Sequence, residues 1–266
     1  MQPVCVSTSI RHYANGSLEE VEDSIVTEFP MTILLNQEEF ATLLCSPEHM
    51  EELAIGFLAS EGVIGSCADL SDIFVDESTG YAYVTAKQVN RYNQLFHSKR
   101  YVTSCCGKSR QSFYFYNDAR TVKNLEENGL TITIADCFRL MELMQQSASL
   151  FQSTGGVHNA ALCDKQGVVI YRTDIGRHNA LDKLYGHCLK HSIKTDDKIM
   201  VFSGRISSEV LLKVAKIGCS IVLSKSAPTE LALRLADELG MTTVGFIRNQ
   251  LLNIYTWPNR IEMDVK

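Results

Sequence analysis

The chain has 266 residues, of which 45% are hydrophobic and 21% charged, and its formal net charge at pH 7 is -6. This length can bury one large core or two modest ones, and the acidic balance argues against broad attraction to nucleic acid or to an anionic membrane. No apolar run reaches the roughly 18 residues of a membrane helix, and the first residues lack the charged and apolar regions of a signal peptide.

The first 125 residues read as a β-rich segment that contains one helix. SIVTEF and MTILL, between residues 20 and 45, are short β-branched runs that predict strands, as do YAYVTA (81–86) and SFYFY (112–116). The run from Pro47 to Ser60 predicts a helix with Ser46 as its N-cap and Gly62 as its end.

After about residue 125 the pattern changes to alternating helices and strands. TITIADCFRLMELMQQSASLF carries a helix with Leu140, Leu143 and Met144 on one face. AALCD, VVIYRTD, KIMVFSG, SIVLSK and TTVGFIR then predict strands, separated by helices at about 178–190, 207–217 and 229–239. We therefore predict an α/β layered domain at 126–266 after a smaller β-rich domain at 1–125.

Nine cysteines is a high count for such a chain. Cys45, Cys163 and Cys219 lie in apolar runs and read as small buried side chains. Because no C-x-x-C pair and no zinc-type cysteine and histidine spacing occurs, we expect no metal site. A reducing, cytoplasmic compartment is the expected location.

Cys105 and Cys106 differ from the other cysteines because they are adjacent and lie in a polar run, TSCCGKSR. Lys108 and Arg110 would favour the thiolate, which is the reactive form of cysteine. Flexible Gly107 suits a loop that presents a nucleophile. Two ordinary cysteines in a surface turn remain an equal alternative on these residues alone.

Polar groups also follow the predicted strands of the second half. Asp174, Gly176, Arg177 and His178 follow VVIYRT, where ligands bind in open α/β sheets, although a simple helix cap is the alternative. Similar polar groups follow three further predicted strands. The segments are Ser203–Glu209, Ser224–Thr229 and Gly245–Gln250, and the first of them contains Arg205. Together they predict a phosphate-binding or nucleotide-binding edge.

Several other functions are disfavoured by missing motifs. The sequence has no G-x-x-x-x-G-K-[ST] phosphate loop, no G-x-G-x-x-G dinucleotide motif and no G-x-S-x-G nucleophile elbow. A zinc deaminase needs H-x-E, whereas His158 is followed by Asn159 and Ala160. His158 has equal structural and functional interpretations.

Seven sequence blocks, spanning residues 52–256, resemble the formate dehydrogenase accessory sulfurtransferases of the FdhD/NarQ family. They are ELAIGFLASEG (52–62), TSCCGKS (103–109), TGGVHNAAL (154–162), DIGRHNALDKL (174–184), SGRISSEVLLKVAKIG (203–218), SKSAPTELALRLADELGMTTVGFIRN (224–249) and NIYT (253–256).

This resemblance implies a cytidine-deaminase-like α/β domain without the zinc site, in a cytoplasmic homodimer. It implies that sulfur comes from a cysteine desulfurase as a persulfide and goes to molybdenum bis(molybdopterin guanine dinucleotide), the cofactor of formate dehydrogenase. Neither nucleic acid nor membrane is implied as a partner.

The resemblance also implies roles for particular residues. The active loop of the family reads T-S-S-C-G-x-C-G, so an ungapped alignment gives the persulfide to Cys106, whereas a gapped one gives it to Cys105. Ser109 stands where the family has its second cysteine, which disfavours a relay between two cysteines three residues apart. The residues implied to bind cofactor are Phe246, Ile247, Arg248, Asn249, Gln250 and Leu251. From their positions at strand ends we expect Arg177, Arg205 and Arg248 to pair with its pyrophosphates, and His178 to hold phosphate beside Arg177.

Three functional hypotheses follow from these observations. The first is a sulfurtransferase with a cysteine persulfide intermediate, and the second is a chaperone that binds the molybdenum cofactor without chemistry. A nucleotide-binding hydrolase is the third, and no spacing of base and nucleophile supports it.

Overall fold

The computed structural model describes residues 2–87, 101–102, 122 and 124–263. The predicted strand at 112–116 and the pair Cys105 and Cys106 therefore lie outside the described residues. None of the helices in the described part combines the length and the hydrophobicity that spanning a bilayer requires.

An antiparallel hairpin begins the chain. Strand β1 (Cys5–Ala14) pairs with β2 (Ser17–Val26) through ten successive residue pairs. Asn15 and Gly16 form the turn, with φ of 52° and 87°, and Asn-Gly is the preferred pair for a two-residue hairpin turn that needs two positive φ angles. Strand β1 was not predicted, because its polar composition hides the alternation of a strand.

A five-stranded sheet follows the hairpin. Its strands are β3 (Phe29–Leu35), β4 (Glu38–Cys45), β5 (Leu70–Asp76), β6 (Tyr81–Ala86) and β7 (Tyr101–Val102), in the order β5-β6-β3-β4-β7. Alternate side chains such as Met31, Ile33 and Leu35 are buried against helix α1 (Met50–Ser60). The sheet therefore buries one face, as the period of two dictates.

Helix α1 begins later than the sequence predicted, so the predicted cap at Ser46 is wrong. The helix starts at Met50, with His49 at the N-cap in a left-handed conformation and no side-chain cap. Ser46 cannot cap it because its backbone N–H and hydroxyl both contact Asp174. The predicted end is confirmed, since Gly62 has a φ of 71°.

A six-stranded sheet organises the second half, in the order β10-β9-β11-β12-β13-β14. Its strands are β9 (His158–Cys163), β10 (Val168–Asp174), β11 (Ile199–Phe202), β12 (Ile221–Ser224), β13 (Thr242–Arg248) and β14 (Leu251–Thr256), while β8 (Ile132–Thr133) and β15 (Ile261–Glu262) form a separate parallel pair. The central strands β11, β12 and β13 are parallel, and the outer ones are antiparallel to their neighbours.

Five helices flank this sheet: α2 (Ile134–Gln146), α3 (Ser149–Thr154), α4 (Arg177–Lys190), α5 (Ser208–Ile217) and α6 (Glu230–Glu238). Met200 and Phe202 of β11 share a core with α4, α5 and α6, whereas Ile199 and Val201 face α2. Helices thus cover both faces of the sheet. The predicted mixed α/β class is confirmed, and the predicted helices match α2, α4, α5 and α6.

Two glycines bring α1 of the first half into contact with α4 of the second. A Cβ added to Gly56 would lie 1.8 Å from the carbonyl oxygen of Asp182, and one added to Gly186 would lie 1.9 Å from that of Glu52. Only glycine permits this backbone approach. The two halves therefore meet along a tight helix crossing, while the predicted boundary near residue 125 stays a prediction.

Candidate functional site

The predicted polar strand ends meet at one edge of the six-stranded sheet. Asp174 is paired with His158, and Phe202 is paired with both Ala160 and Ser224. These pairs place the start of β9 and the ends of β10, β11 and β12 side by side, and β13 passes the same edge because Leu223 pairs with Val244. We call this edge, with the loops that follow β10, β11, β12 and β13, the polar edge.

Hydroxyl groups at the polar edge hold its loops together. The Ser203 hydroxyl accepts a hydrogen bond from the Asn159 N–H at 2.9 Å. The Ser224 hydroxyl donates to the Gly204 carbonyl at 2.8 Å, and the Ser226 hydroxyl donates to the Ser203 carbonyl at 3.0 Å. These side chains shape the edge, and its arginines and backbone N–H groups remain the candidates for binding a ligand.

Three helices begin at the polar edge. Helix α4 follows Gly176 without a side-chain cap, whereas Ser207 caps α5 and Thr229 caps α6 through hydrogen bonds from Val210 and Ala232. A single cap satisfies only part of the free N–H groups in a first turn. The positive ends of three helix dipoles therefore point to one side of the sheet, which favours an anion there.

Arg177, His178 and His158 lie together at the β9 and β10 end of this edge. Burial lowers the pKa of His158, and the charges of Arg177 and His178 lower it further, whereas Asp174 opposes them. His178 Nε2 lies 3.3 Å from Glu209 Oε2 without hydrogen-bond alignment, and has no hydrogen-bond partner among the described residues. His158 therefore favours its neutral form beside a guanidinium.

Asp174 has a different role from its neighbours in the same sequence block. Its carboxylate accepts hydrogen bonds from the Ser46 N–H and hydroxyl, the Gly176 N–H and the Asn179 amide, and forms an ion pair with Lys183 at 2.7 Å. Both charged side chains are fully buried. Lys183 also donates to the Ser46 carbonyl at 3.1 Å and hydroxyl at 2.8 Å.

We call Ser46, Asp174, Asn179 and Lys183 the buried clamp, because they join the end of β4 to the start of α4. Asn179 strengthens the junction by donating to the Leu44 carbonyl at 2.8 Å. The helix-cap alternative considered for this block thus fits Asp174 best, since it accepts from the Gly176 N–H. The local sequence gives no sign that Ser46 is a partner, because it lies 128 residues from Asp174.

A second polar cluster lies where α1 crosses α4. Arg172 donates to Glu52 Oε2 at 2.6 Å and Oε1 at 2.9 Å, and His187 Nδ1 lies 2.6 Å from Oε1. Burial raises the pKa of Glu52, but hydrogen bonds from Arg172 and His187 outweigh it and lower that pKa to about 2. This cluster was not predicted, because nothing in the local sequence links Glu52 to a residue 120 positions away.

Glu52, His187 and His191 have donor atoms within 4.8 Å of one another, a grouping that could hold a metal ion. Imidazole and carboxylate are suitable ligands for zinc. However, the Arg172 guanidinium already bonds both carboxylate oxygens and lies 2.7 Å from His187 Nδ1. A cation is therefore already present at this position, which makes the group a poor metal site.

The segment Phe246–Leu251, implied to bind the cofactor, comprises the end of β13, the turn Asn249-Gln250 and the first residue of β14. Phe246, Asn249 and Gln250 have φ angles of 56°, 50° and 58°. The Arg248 guanidinium lies 5.6 Å from the centre of the Phe246 ring. Arg248, Asn249, Gln250 and Leu251 are exposed, whereas the Ile247 side chain is buried and leaves only its backbone for contact with a ligand.

The structure therefore brings the predicted binding residues to one edge in two groups. Arg177 and His178 lie at the start of α4, and exposed Arg205 follows β11. Segment 246–251 begins in the last residues of β13. In the sheet order, four inter-strand spacings separate β10 from β13 and two separate β11 from β13, so the two groups lie roughly 10–20 Å apart across the sheet.

Seven described cysteines are free thiols. Burial raises the pKa of Cys45, Cys163 and Cys188 to about 12, and raises that of Cys219 as well. These thiols stay protonated and inert at neutral pH. The predicted burial of Cys45, Cys163 and Cys219 is confirmed.

Comparison with known proteins adds an independent line of evidence. A sequence model of the FdhD/NarQ family matches residues 26–262. Proteins named sulfur carrier protein FdhD share 55% identity over 252 residues in Geobacillus kaustophilus (95% of each chain), and 55% over 249 residues in Bacillus subtilis (94% of each chain).

A crystal structure has a similar fold. It is that of a protein from Desulfotalea psychrophila provisionally described as a formate dehydrogenase accessory protein. The TM-score is 0.80 at 24% identity, covering 98% of this chain and 100% of that one.

Proposed function

The chain belongs to the FdhD/NarQ family, and on that premise we propose that it is a sulfur carrier for formate dehydrogenase. Its donor is a cysteine desulfurase, and its sulfur acceptor is molybdenum bis(molybdopterin guanine dinucleotide), bound as a substrate. The observation that carries the proposal is the convergence of three helix N-termini with Arg177, Arg205 and Arg248 on one sheet edge.

The polar edge suits the pyrophosphate groups of such a substrate. Arginines donate paired hydrogen bonds to phosphate oxygens, and unsatisfied N–H groups of a first helical turn favour negative charge. Segment 246–251 combines an exposed arginine and amides with the Phe246 ring, a set suited to a guanine nucleotide. We propose that domain 126–266, which we take to be cytidine-deaminase-like, binds the substrate.

Cys106 is the proposed sulfur carrier, with Cys105 beside it in domain 1–125. The high pKa of the buried cysteines disfavours them as nucleophiles. Strand β7 pairs in parallel with β4, with Val102 opposite Leu43, and β4 leads directly to Ser46 of the buried clamp. Cys106 follows Val102 by four residues, a chain length that spans at most about 14 Å.

The proposed reaction has two steps. The Cys106 thiolate attacks the outer sulfur of the desulfurase persulfide, forming Cys106-S-SH and releasing the desulfurase cysteine as a thiolate. Transfer of that outer sulfur to molybdenum as sulfide requires two electrons. A thiol reductant supplies them and regenerates the Cys106 thiol, or the Cys105 thiol supplies them and a Cys105–Cys106 disulfide forms.

A cytoplasmic homodimer is the proposed form of the protein. Mass spectrometry after incubation with a cysteine desulfurase and cysteine tests the transfer. We expect an adduct of one sulfur, about 32 Da, on Cys106. Cys106→Ala should lose the adduct and abolish formate dehydrogenase activity in cells, whereas Cys105→Ala should keep the adduct.

The alternative is a cofactor-binding chaperone without sulfur chemistry. It requires nucleotide binding at the polar edge and no adduct on either cysteine. A Cys106→Ala protein that still supports formate dehydrogenase would favour it. An adduct on Cys105 alone would instead support the gapped alignment.

A further inference from the structure

The hairpin β1–β2 projects from the fold with an uncovered apolar stripe. Residues directly opposite in the ladder share a face, so Val6 with Ile25 and Ile10 with Val21 lie on one side of the ribbon. Val6, Val21 and Ile25 remain 44%, 36% and 42% exposed. We call this side the apolar face of the hairpin; the opposite face carries one exposed apolar pair, Tyr13 with Leu18, beside the turn.

Within the described residues, the hairpin is held at its base, and β2 also contacts helix α3. The Thr27 N–H donates to the Val4 carbonyl at 2.8 Å, and the Val26 side chain lies against Gly156, where an added Cβ would be 2.7 Å from it. No residue of either strand is buried. An isolated two-stranded ribbon is marginal in water, so a ribbon about 33 Å long gains stability if its apolar face is covered.

Charge indicates what covers it. Strand β2 carries four carboxylates, Glu19, Glu20, Glu22 and Asp23, and Arg11 of β1 is the one cation of the hairpin sequence. One positive and four negative charges give the hairpin a net charge of -3, half of the -6 of the whole chain. A partner protein that covers the hairpin must therefore present positively charged side chains to it.

The carboxylates divide evenly between the two faces. Glu20 and Glu22 lie on the opposite face, where the hydroxyls of Ser9 and Ser7 donate to them. Glu19 and Asp23 lie on the apolar face, and Asp23 sits between the two apolar pairs. Within the described part of the chain, neither forms an ion pair.

We propose that the apolar face of the hairpin docks a basic partner protein, one that offers an apolar strip interrupted by lysine or arginine. A second copy of this acidic chain fits poorly, because face-to-face packing would bring the carboxylates of both hairpins together. The inference rests on the proposed function, which supplies the two candidate partners, the cysteine desulfurase and formate dehydrogenase. A contact of this kind uses the hairpin to position the sulfur carrier against its partner.

The test compares two double variants with the same change in charge. Glu19→Gln with Asp23→Asn alters the apolar face, and Glu20→Gln with Glu22→Gln alters the opposite face. Binding of the full-length protein to purified cysteine desulfurase and to purified formate dehydrogenase apoprotein is measured by biolayer interferometry. At low salt we expect the first variant to raise Kd about tenfold for at least one partner and the second to raise it less than about twofold.

Ile10→Ser with Val21→Ser should weaken the same complex, and raising the salt concentration should weaken the wild-type complex as well. Equal effects of the two charge variants would overturn the proposal, and so would a wild-type protein that binds neither partner. Sedimentation then tests the remaining occupant. If the wild-type protein is a dimer and the Ile10→Ser, Val21→Ser variant is a monomer, the face is covered by a second copy, and the proposal is overturned.

Persulfide on Cys106 is measured in the same samples to separate this inference from the proposed function. Selective loss of binding in the Glu19→Gln, Asp23→Asn variant, without any adduct on wild-type Cys106, would support docking and contradict sulfur transfer. A normal adduct with equal binding of both variants would support sulfur transfer and contradict docking.

Discussion

The buried clamp and the polar edge both take residues from the ten-residue block Asp174–Lys183, yet these residues have opposite physical characters. Asp174 and Lys183 are fully buried and completely paired, whereas Arg177 and His178 are partly exposed beside the free N–H groups of α4. Residues that hold the two halves together and residues available to a ligand therefore alternate along one helix start, since His178 is followed directly by Asn179 of the clamp. Density of charge in a sequence block does not by itself distinguish these roles.

The largest expected effect tests the clamp. Lys183→Met would leave the Asp174 carboxylate buried without its cation, and such a loss costs about 3–5 kcal/mol. Urea denaturation should show this decrease in the free energy of unfolding. Arg177→Met, in the same helix but partly exposed, should change it by less than about 0.5 kcal/mol. A similar loss in both variants would contradict the division into clamp and edge.

The glycine crossing tests whether the two halves depend on close helix contact. Gly56→Ala places a methyl group 1.8 Å from the Asp182 carbonyl oxygen, and we expect a loss of about 3 kcal/mol because two backbones must separate. Gly129→Ala is the matched control, since nothing lies within 4 Å of its added Cβ. Equal thermal midpoints for both variants would show that the crossing tolerates separation.

The polar edge should respond in binding without a change in stability. Arg248→Met removes an exposed guanidinium, so we expect about tenfold weaker binding of GDP, near 1.4 kcal/mol, with an unchanged thermal midpoint. Isothermal titration calorimetry provides the measurement, and Arg234→Met, an exposed arginine on α6, is the control. Unchanged GDP affinity in Arg248→Met would remove segment 246–251 from the proposed site.

The smallest effect concerns acid stability at the helix crossing. The pKa of Glu52 is about 2 in the folded protein against 4.5 as its ordinary value. The ionised Glu52 side chain therefore contributes its full stabilisation above pH 4.5, and this stabilisation is lost as the pH falls toward 2. After allowance for solvent screening, we expect this contribution to the free energy of unfolding to be roughly 1 kcal/mol. Glu52→Gln should flatten this part of the stability curve, and Glu51→Gln should leave it unchanged.

Local signals in the sequence predicted most of the second half. Runs such as KIMVF and SIVL are buried on both faces, and Ser207 and Thr229 cap the helices that follow their strands. Strand ends therefore located the polar edge correctly. Strand β1 was not predicted, because a strand that is exposed on both faces does not need alternating apolar and polar side chains.

The clamp and the Glu52 cluster escaped prediction for another reason. Ser46 reads locally as a helix cap, and only the folded chain brings it to Asp174 and Lys183. Arg172 reads as one polar residue in a strand until Glu52 is placed opposite it. Long-range polar pairing leaves no local periodicity, so a single sequence cannot reveal it.

The clamp also has a consequence for synthesis of the protein. Ser46 and Lys183 are separated by 137 positions, and a ribosome adding about 5–20 residues per second needs roughly 7–27 s to travel that distance. Throughout this interval the nascent first half lacks both the charged hydrogen-bond partners of Ser46 and the helix that covers Gly56. Maturation of the N-terminal segment is thus timed by translation of α4, and a stalled ribosome before that point exposes an incomplete surface to chaperones and proteases.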